Sequence, residues 1–102
     1  MSHYPDYEHA TDIDQKTLTF IQGLDPGKLY RSCAECLKEP IPNLSTALCG
    51  LSSVATVMMT VKELGGNGAK ILHYANSGDI SIDGYRKRRT VVGYGAVAFY
   101  KQ

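Results

Sequence analysis

The chain has 102 residues, the size of one domain, and its 11 Lys and Arg residues against 10 Asp and Glu residues leave a formal charge of +1. This balance gives no electrostatic reason to expect nucleic acid or an anionic membrane as partner. No apolar run approaches the roughly 18 residues of a membrane span, and the start lacks the basic-then-apolar pattern of a signal peptide. Three cysteines without framework spacing favour free thiols in a reducing compartment. We therefore expect a cytoplasmic protein.

The first third of the chain is predicted to contain a pair of helices. The first twelve residues show no regular period, and we interpret them as a loop that contributes nothing to the core. A helix is predicted over residues 12–23, with Asp12 as its N-cap. A second helix is predicted to begin at Asp25-Pro26, because an Asp cap followed by Pro at the first helical position is a good start signal.

Cys49 is predicted to lie at the start of a third helix. Residues 38–48 are interpreted as a connector that leads to Cys49. From Gly50 to Leu64, apolar side chains recur with the spacing of one buried helical face. The free N–H groups and positive dipole end of such a helix favour the thiolate form of Cys49. Cys49 is therefore a candidate nucleophile or metal ligand, and the alternative is a small buried hydrophobic residue.

The last third of the chain changes to a strand pattern. The predicted elements are a helix stop at 65–68, a strand at 70–74, a turn at 76–79, a hairpin arm or long loop at 80–89 and an apolar strand at 90–100. Gly93 and Gly95 lie on one face of the last strand, so something approaches its backbone closely or the strand bends there. Helices followed by two or three strands indicate an α/β fold. Apolar strands of this kind are usually covered on both faces, and this chain has enough helix for one.

Three other motifs favour structural interpretations. Cys33 and Cys36 form a C-x-x-C near the end of a predicted helix, where the dipole opposes a thiolate, so we do not expect a redox role. A zinc site would require Cys49 and His73 to converge on that pair, and His73 is more simply a sheet-face or core histidine. The basic run 85–89 is interpreted as a solvated loop between strands rather than a nucleic-acid site.

Four ordered blocks of sequence resemble a known family. They are Ser2-His3-Tyr4, Leu48-Cys49-Gly50, residues 72–79 and residues 91–99. In this order and spacing they resemble the C-terminal third of the Memo family, whose bacterial and archaeal members are also called AmmeMemoRadiSam system protein B. The resemblance covers essentially the whole chain and makes residues 1–102 a partial Memo-like domain. It implies an α/β fold similar to class III extradiol dioxygenases, with a central sheet and a non-haem metal pocket.

The resemblance also implies roles for two residues. His3 would be the pocket histidine, placed for general acid/base catalysis, and Cys49 the pocket thiol and metal ligand for iron, copper or zinc. The family's two further histidine ligands and the Asp before its Ser-His step have no counterpart here. Because a metal needs three or four ligands and His3 lies on a terminal segment expected to fray, we expect no tight metal site in the isolated chain.

These arguments leave three functional hypotheses. The first is the C-terminal fragment of a Memo-family, dioxygenase-like metal-binding protein that is not catalytic by itself. The second is a non-enzymatic protein-interaction module, and the third is a thiol enzyme using Cys49 and His3. The expected partner is the N-terminal portion of the same fold or a partner chain, with a homo-oligomer as an alternative and neither nucleic acid nor membrane.

Overall fold

The computed structural model describes residues 1–81 and 84–102 and contains three helices followed by a two-stranded antiparallel sheet. The elements are α1 (Tyr7–Gln22), α2 (Pro26–Lys38), α3 (Leu51–Glu63), β1 (Gly68–Asn76), a 3-10 turn (Ser77–Asp79) and β2 (Gly93–Tyr100). This arrangement confirms the predicted α/β fold class and the order of helices before strands. Two residues of the predicted loop at 80–89, residues 82 and 83, lie outside the described part.

The starts of the helices follow their capping residues. The predicted start of α1 at Asp12 is wrong, because the Asp6 carboxylate accepts a hydrogen bond from the His9 N–H and caps the helix one and a half turns earlier. The α2 start is confirmed: Asp25 caps the helix by accepting from the Lys28 N–H at 3.0 Å, and Pro26 follows.

Residues 1–5, here called the N-terminal segment, are hydrogen-bonded to other parts of the chain on both sides, and Tyr4 within them has a left-handed backbone (φ 74°). On one side, His3 donates its N–H to the Thr46 carbonyl at 3.0 Å. On the other, the Tyr4 N–H donates to the Val91 carbonyl at 2.7 Å and the Gly93 N–H donates to the Ser2 carbonyl at 2.9 Å. Ser2 is fully buried. The interpretation of the first twelve residues as a loop outside the core is therefore wrong, because residues 1–5 are bonded to partners distant in sequence and α1 begins at Tyr7.

The sheet packs against α1. In β1 and β2, Gly68 lies opposite Tyr100 and Asn76 opposite Gly93, with an irregularity between Ile71 and His73. The predicted close approach at the paired glycines is confirmed. A methyl group added at Gly93 would overlap the Asp14 carboxylate, and one added at Gly95 would lie 2.8 Å from the Met1 sulfur.

The hydrophobic core lies between the three helices and the chain that leads into α3. Its buried members are Ile13, Ile21, Leu29, Cys33, Ala47, Leu48 and Met58. This packing fixes the position of residues 45–49 beside the N-terminal segment, which is the arrangement that places the candidate site. Among the described helices, none combines the length and the apolar character needed to cross a membrane.

Candidate functional site

The structure places His3 and Cys49 on neighbouring, hydrogen-bonded segments. His3 donates to the Thr46 carbonyl and its own carbonyl accepts from the Ser45 N–H, both at 3.0 Å, while the Cys49 N–H donates to the Met1 carbonyl at 3.0 Å. The N-terminal segment and residues 45–49 thus run antiparallel, and residues separated by 46 positions in sequence are held in adjacent stretches of chain. His3 is partly buried and Cys49 is exposed.

Cys49 lies at the start of a helix, as predicted. Gly50 is the N-cap of α3, and its left-handed backbone (φ 72°) suits glycine. Because Gly50 has no side chain, the N-cap residue itself provides no side-chain acceptor for the N–H groups of the first turn. Because Cys49 is exposed, its interpretation as a small buried hydrophobic residue is wrong.

The described residues supply too few donors for a complete metal site. Within residues 1–81 and 84–102, no group of three or more His, Cys, Asp or Glu side chains is arranged to hold a metal ion. In the same residues, no hydrogen bond joins the Cys49 thiol to the His3 ring, whose aromatic neighbour is Tyr4 with ring centroids 5.5 Å apart. His3 and Cys49 therefore supply only part of a metal centre.

The other two cysteines, Cys33 and Cys36, lie in α2 and are less accessible than Cys49. Cys33 is buried in the core near the end of α2, and burial, with a smaller effect from the Cys36 thiol, raises its pKa to about 11. Burial also raises the pKa of Cys36. Both thiols are therefore protonated at neutral pH. His73 is exposed on β1, where it is the predicted sheet-face histidine.

Sequence reasoning missed a buried polar cluster behind the N-terminal segment. The Asp14 carboxylate on α1 is fully buried and accepts from the Ser2 N–H at 2.9 Å, the Ser2 hydroxyl at 3.1 Å and the Tyr74 hydroxyl at 2.5 Å. The Asn76 side-chain amide donates to the Tyr74 oxygen at 3.2 Å. Burial, followed by the bond to Asp14, raises the pKa of Tyr74 well above its usual value. We call Ser2, Asp14, Tyr74 and Asn76 the polar cluster.

The polar cluster holds the segment that carries His3. Asp14 lies among the mostly apolar residues on the buried face of α1. A carboxylate at such a position needs hydrogen-bond donors, so its place in the helical pattern could have indicated a buried polar cluster from the sequence. Its donors come from Ser2 and Tyr74, which are next to His3 and at the end of β1. The cluster thereby ties the helix, the sheet and the N-terminal segment together.

The basic run at 85–89 is exposed, as predicted for a solvated loop. One member has a local role: the Arg88 guanidinium lies 3.9 Å from the centroid of the Tyr7 ring, and its Nε donates to the Gly78 carbonyl at 3.2 Å. The Tyr7 hydroxyl in turn donates to Asp79 at 2.7 Å, a bond that raises the pKa of Tyr7. Arg88 therefore fastens the loop to the start of α1.

Comparison with known proteins places the chain among Memo-like sequences. A family model described as "Memo-like protein" matches residues 1–98. A MEMO1 family protein of Methanosarcina acetivorans is 33% identical over 96 residues, covering 94% of this chain and 32% of that protein. MEMO1 family proteins of Caldivirga maquilingensis (31% identical, 99% of this chain and 32% of that protein) and Methanobrevibacter smithii (34%, 97% and 31%) give similar matches. The chain thus spans about a third of the length of these relatives.

Proposed function

Because the chain belongs to the Memo-like family, we propose that it forms one wall of a dioxygenase-like, non-haem metal pocket. Cys49 supplies a thiolate ligand for iron, copper or zinc, and His3 acts there as a general acid or base. The remaining ligands come from outside these 102 residues, in the N-terminal portion of the same fold or a partner chain. The chain alone is not catalytic.

The observation that carries this proposal is the pairing of the two segments that hold His3 and Cys49. Their backbones are joined by hydrogen bonds at Thr46, Ser45 and Met1, each 3.0 Å long. Such pairing holds the backbones of the proposed ligand and of the proposed acid or base in a fixed relation before any metal arrives, as active sites require. The Asp14 carboxylate supports the same segment from behind through the Ser2 N–H.

The exposure of Cys49 also supports the proposal. A thiol that serves only packing is normally buried, as Cys33 is. Cys49 instead lies on the surface, immediately before Gly50, the N-cap of α3. With Cys49 as its ligand, a wall of this kind still needs two or more further ligands, because within residues 1–81 and 84–102 no group of three or more His, Cys, Asp or Glu side chains could hold a metal ion.

A chimera tests the proposal. The part of the Methanosarcina acetivorans relative that precedes its matched stretch would be joined to residue 1 of this chain, and bound metal would be measured by mass spectrometry after purification. We expect about one metal ion per chimera, and loss of at least about 90% of it in Cys49→Ala, as expected when a ligand is removed.

The matched control is Cys36→Ala, which removes a partly buried thiol of the same chain that lies in α2 and is not a proposed ligand. This variant should retain the metal. A folded chimera that binds metal equally well with and without Cys49, or one that binds none, would overturn the proposed function.

A further inference from the structure

A cleft lies between α1 and α2, and we call it the interhelical cleft. It has a volume of about 300 Å³, which is the size of a small-molecule site. Its walls come from the two helices and from the connector that leads to α3. The apolar part of the lining consists of Ile13, Phe20, Ile41 and Ala47. An aliphatic chain of a ligand would therefore find an apolar surface in the cleft.

Carboxylates predominate among the charged side chains of the interhelical cleft. Asp12, Glu35 and Glu39 line it and are exposed, and among the described residues none of the three forms an ion pair. Lys16 sets one positive charge against them. The His9 ring also lines the cleft, but it is held by the N-cap carboxylate of α1 at 2.9 Å. The cleft therefore favours a cationic group of a ligand over an anionic one.

A smaller pocket continues the interhelical cleft towards the start of α2. It has a volume of about 200 Å³ and shares Phe20, Ser32 and Glu35 with the cleft. Its two further lining residues, Lys28 and Arg31, are exposed cations. They precede Glu35 by one to two helical turns, which places their backbones about 6 to 10 Å from it along α2. The two cavities together form a groove that is negative at one end, apolar between the ends and positive at the other.

We propose that this groove binds a small zwitterion in which an aliphatic chain joins a primary ammonium group to a carboxylate. The ammonium group lies among the three carboxylates of the cleft, the chain lies on Phe20, and the carboxylate faces Lys28 and Arg31. The two basic side chains disfavour a diamine, and the carboxylates disfavour a fatty acid, so the charge pattern selects for both groups together. The inference does not depend on the proposed metal pocket, because neither His3 nor Cys49 lines either cavity.

The experiment titrates the full chain with ε-aminocaproate at low ionic strength and follows the isoleucine methyl groups by NMR. Ile13 and Ile41 line the interhelical cleft, whereas Ile71 and Ile80 line neither cavity and serve as internal controls. We expect saturable shifts at Ile13 and Ile41 alone, with half-saturation at or below about 10 mM, as for a weak ligand of this size. Hexylamine and caproate, which each lack one of the two charged groups, should bind at least about threefold more weakly.

Two variants test the two ends of the groove. Glu39→Gln should raise the dissociation constant of ε-aminocaproate at least about threefold, because it removes one of the carboxylates that face the ammonium group. Its matched control is Glu63→Gln, which makes the same charge change at an exposed position of α3 and should leave the constant unchanged. Arg31→Gln should weaken ε-aminocaproate by a similar factor and leave hexylamine unaffected, since hexylamine has no carboxylate.

Three results would overturn the proposal. The first is the absence of saturable shifts at Ile13 and Ile41, and the second is equal binding of ε-aminocaproate, hexylamine and caproate, which would make the groove an apolar surface without charge selection. The third is an equal effect of Glu39→Gln and Glu63→Gln. Because the titration contains no metal and the chimera contains no zwitterion, failure of either experiment leaves the other proposal unaffected.

Discussion

Two neighbouring stretches of one strand edge have opposite surroundings. Residues 91–93 are enclosed by the N-terminal segment and by the polar cluster, and every outward backbone group there has a partner. Residues 95–99 belong to the same edge but face an apolar cavity without such partners. The backbone groups of this edge have hydrogen-bond partners where the buried Asp14 carboxylate holds the neighbouring segment, and we call this stretch closed. Where only apolar side chains lie beside the edge, the described residues provide no such partners, and we call that stretch open.

The largest expected effect comes from removing the carboxylate at the closed end. Asp14→Ala leaves the Ser2 N–H and the Tyr74 hydroxyl buried without an acceptor, so we expect a loss of about 3 kcal/mol in the free energy of unfolding, measured by urea denaturation. Asp12→Ala, at an exposed position of the same helix, is the control and should cost below about 0.5 kcal/mol. Similar losses in the two variants would contradict the organising role of the polar cluster.

The two glycines compare the closed and open stretches directly. Gly93→Ala drives a methyl group into the Asp14 carboxylate, which is held by three donors, and should cost about 2 kcal/mol. Gly95→Ala meets the Met1 sulfur at 2.8 Å, and the end of that flexible side chain can move into the adjoining cavity. We expect a cost below about 1 kcal/mol for this variant. Equal melting curves would show that the two stretches do not differ.

Removing the Tyr74 hydroxyl should lower the free energy of unfolding by a smaller amount, and this loss should depend on pH. Burial and the bond to Asp14 raise the pKa of Tyr74 above its usual 10.0, so the unfolded chain loses the phenolic proton first as pH rises. The contribution of the Tyr74 hydroxyl to stability is therefore complete well below pH 10 and declines as the pH rises above about 10.

Tyr74→Phe should therefore cost about 1.5 kcal/mol at pH 7, and its stability should fall less steeply than that of the wild type between pH 9 and about 11. Cys33, whose pKa burial raises to about 11, contributes a decline common to both proteins. Parallel pH profiles for the wild type and Tyr74→Phe would contradict this account.

The sequence predictions are correct for elements that depend on contacts between neighbouring residues, and wrong for elements that depend on contacts between residues distant in sequence. The Asp25-Pro26 start of α2 and the placement of Cys49 before α3 depend on neighbouring residues, and both were predicted. The N-terminal segment was misjudged because its partners are at Thr46 and Val91.

Gly93 and Gly95 show, within one motif, what sequence spacing can predict and what it cannot. The spacing of Gly93 and Gly95 predicted that something lies close to the strand, and this is confirmed. It did not identify Asp14 or Met1 as the neighbours, because those contacts span most of the chain. For the candidate site, sequence blocks named His3 and Cys49, and only the structure placed them on paired segments.

The most direct test of the central claim is the absorption spectrum of the cobalt(II)-substituted chimera, since a Cys49 thiolate bound to cobalt gives a sulfur-to-metal charge-transfer band in the near ultraviolet. We predict this band in the chimera and in Cys36→Ala, and its loss in Cys49→Ala. A band of unchanged intensity in Cys49→Ala would contradict the claim that this chain contributes its exposed thiol to a metal pocket.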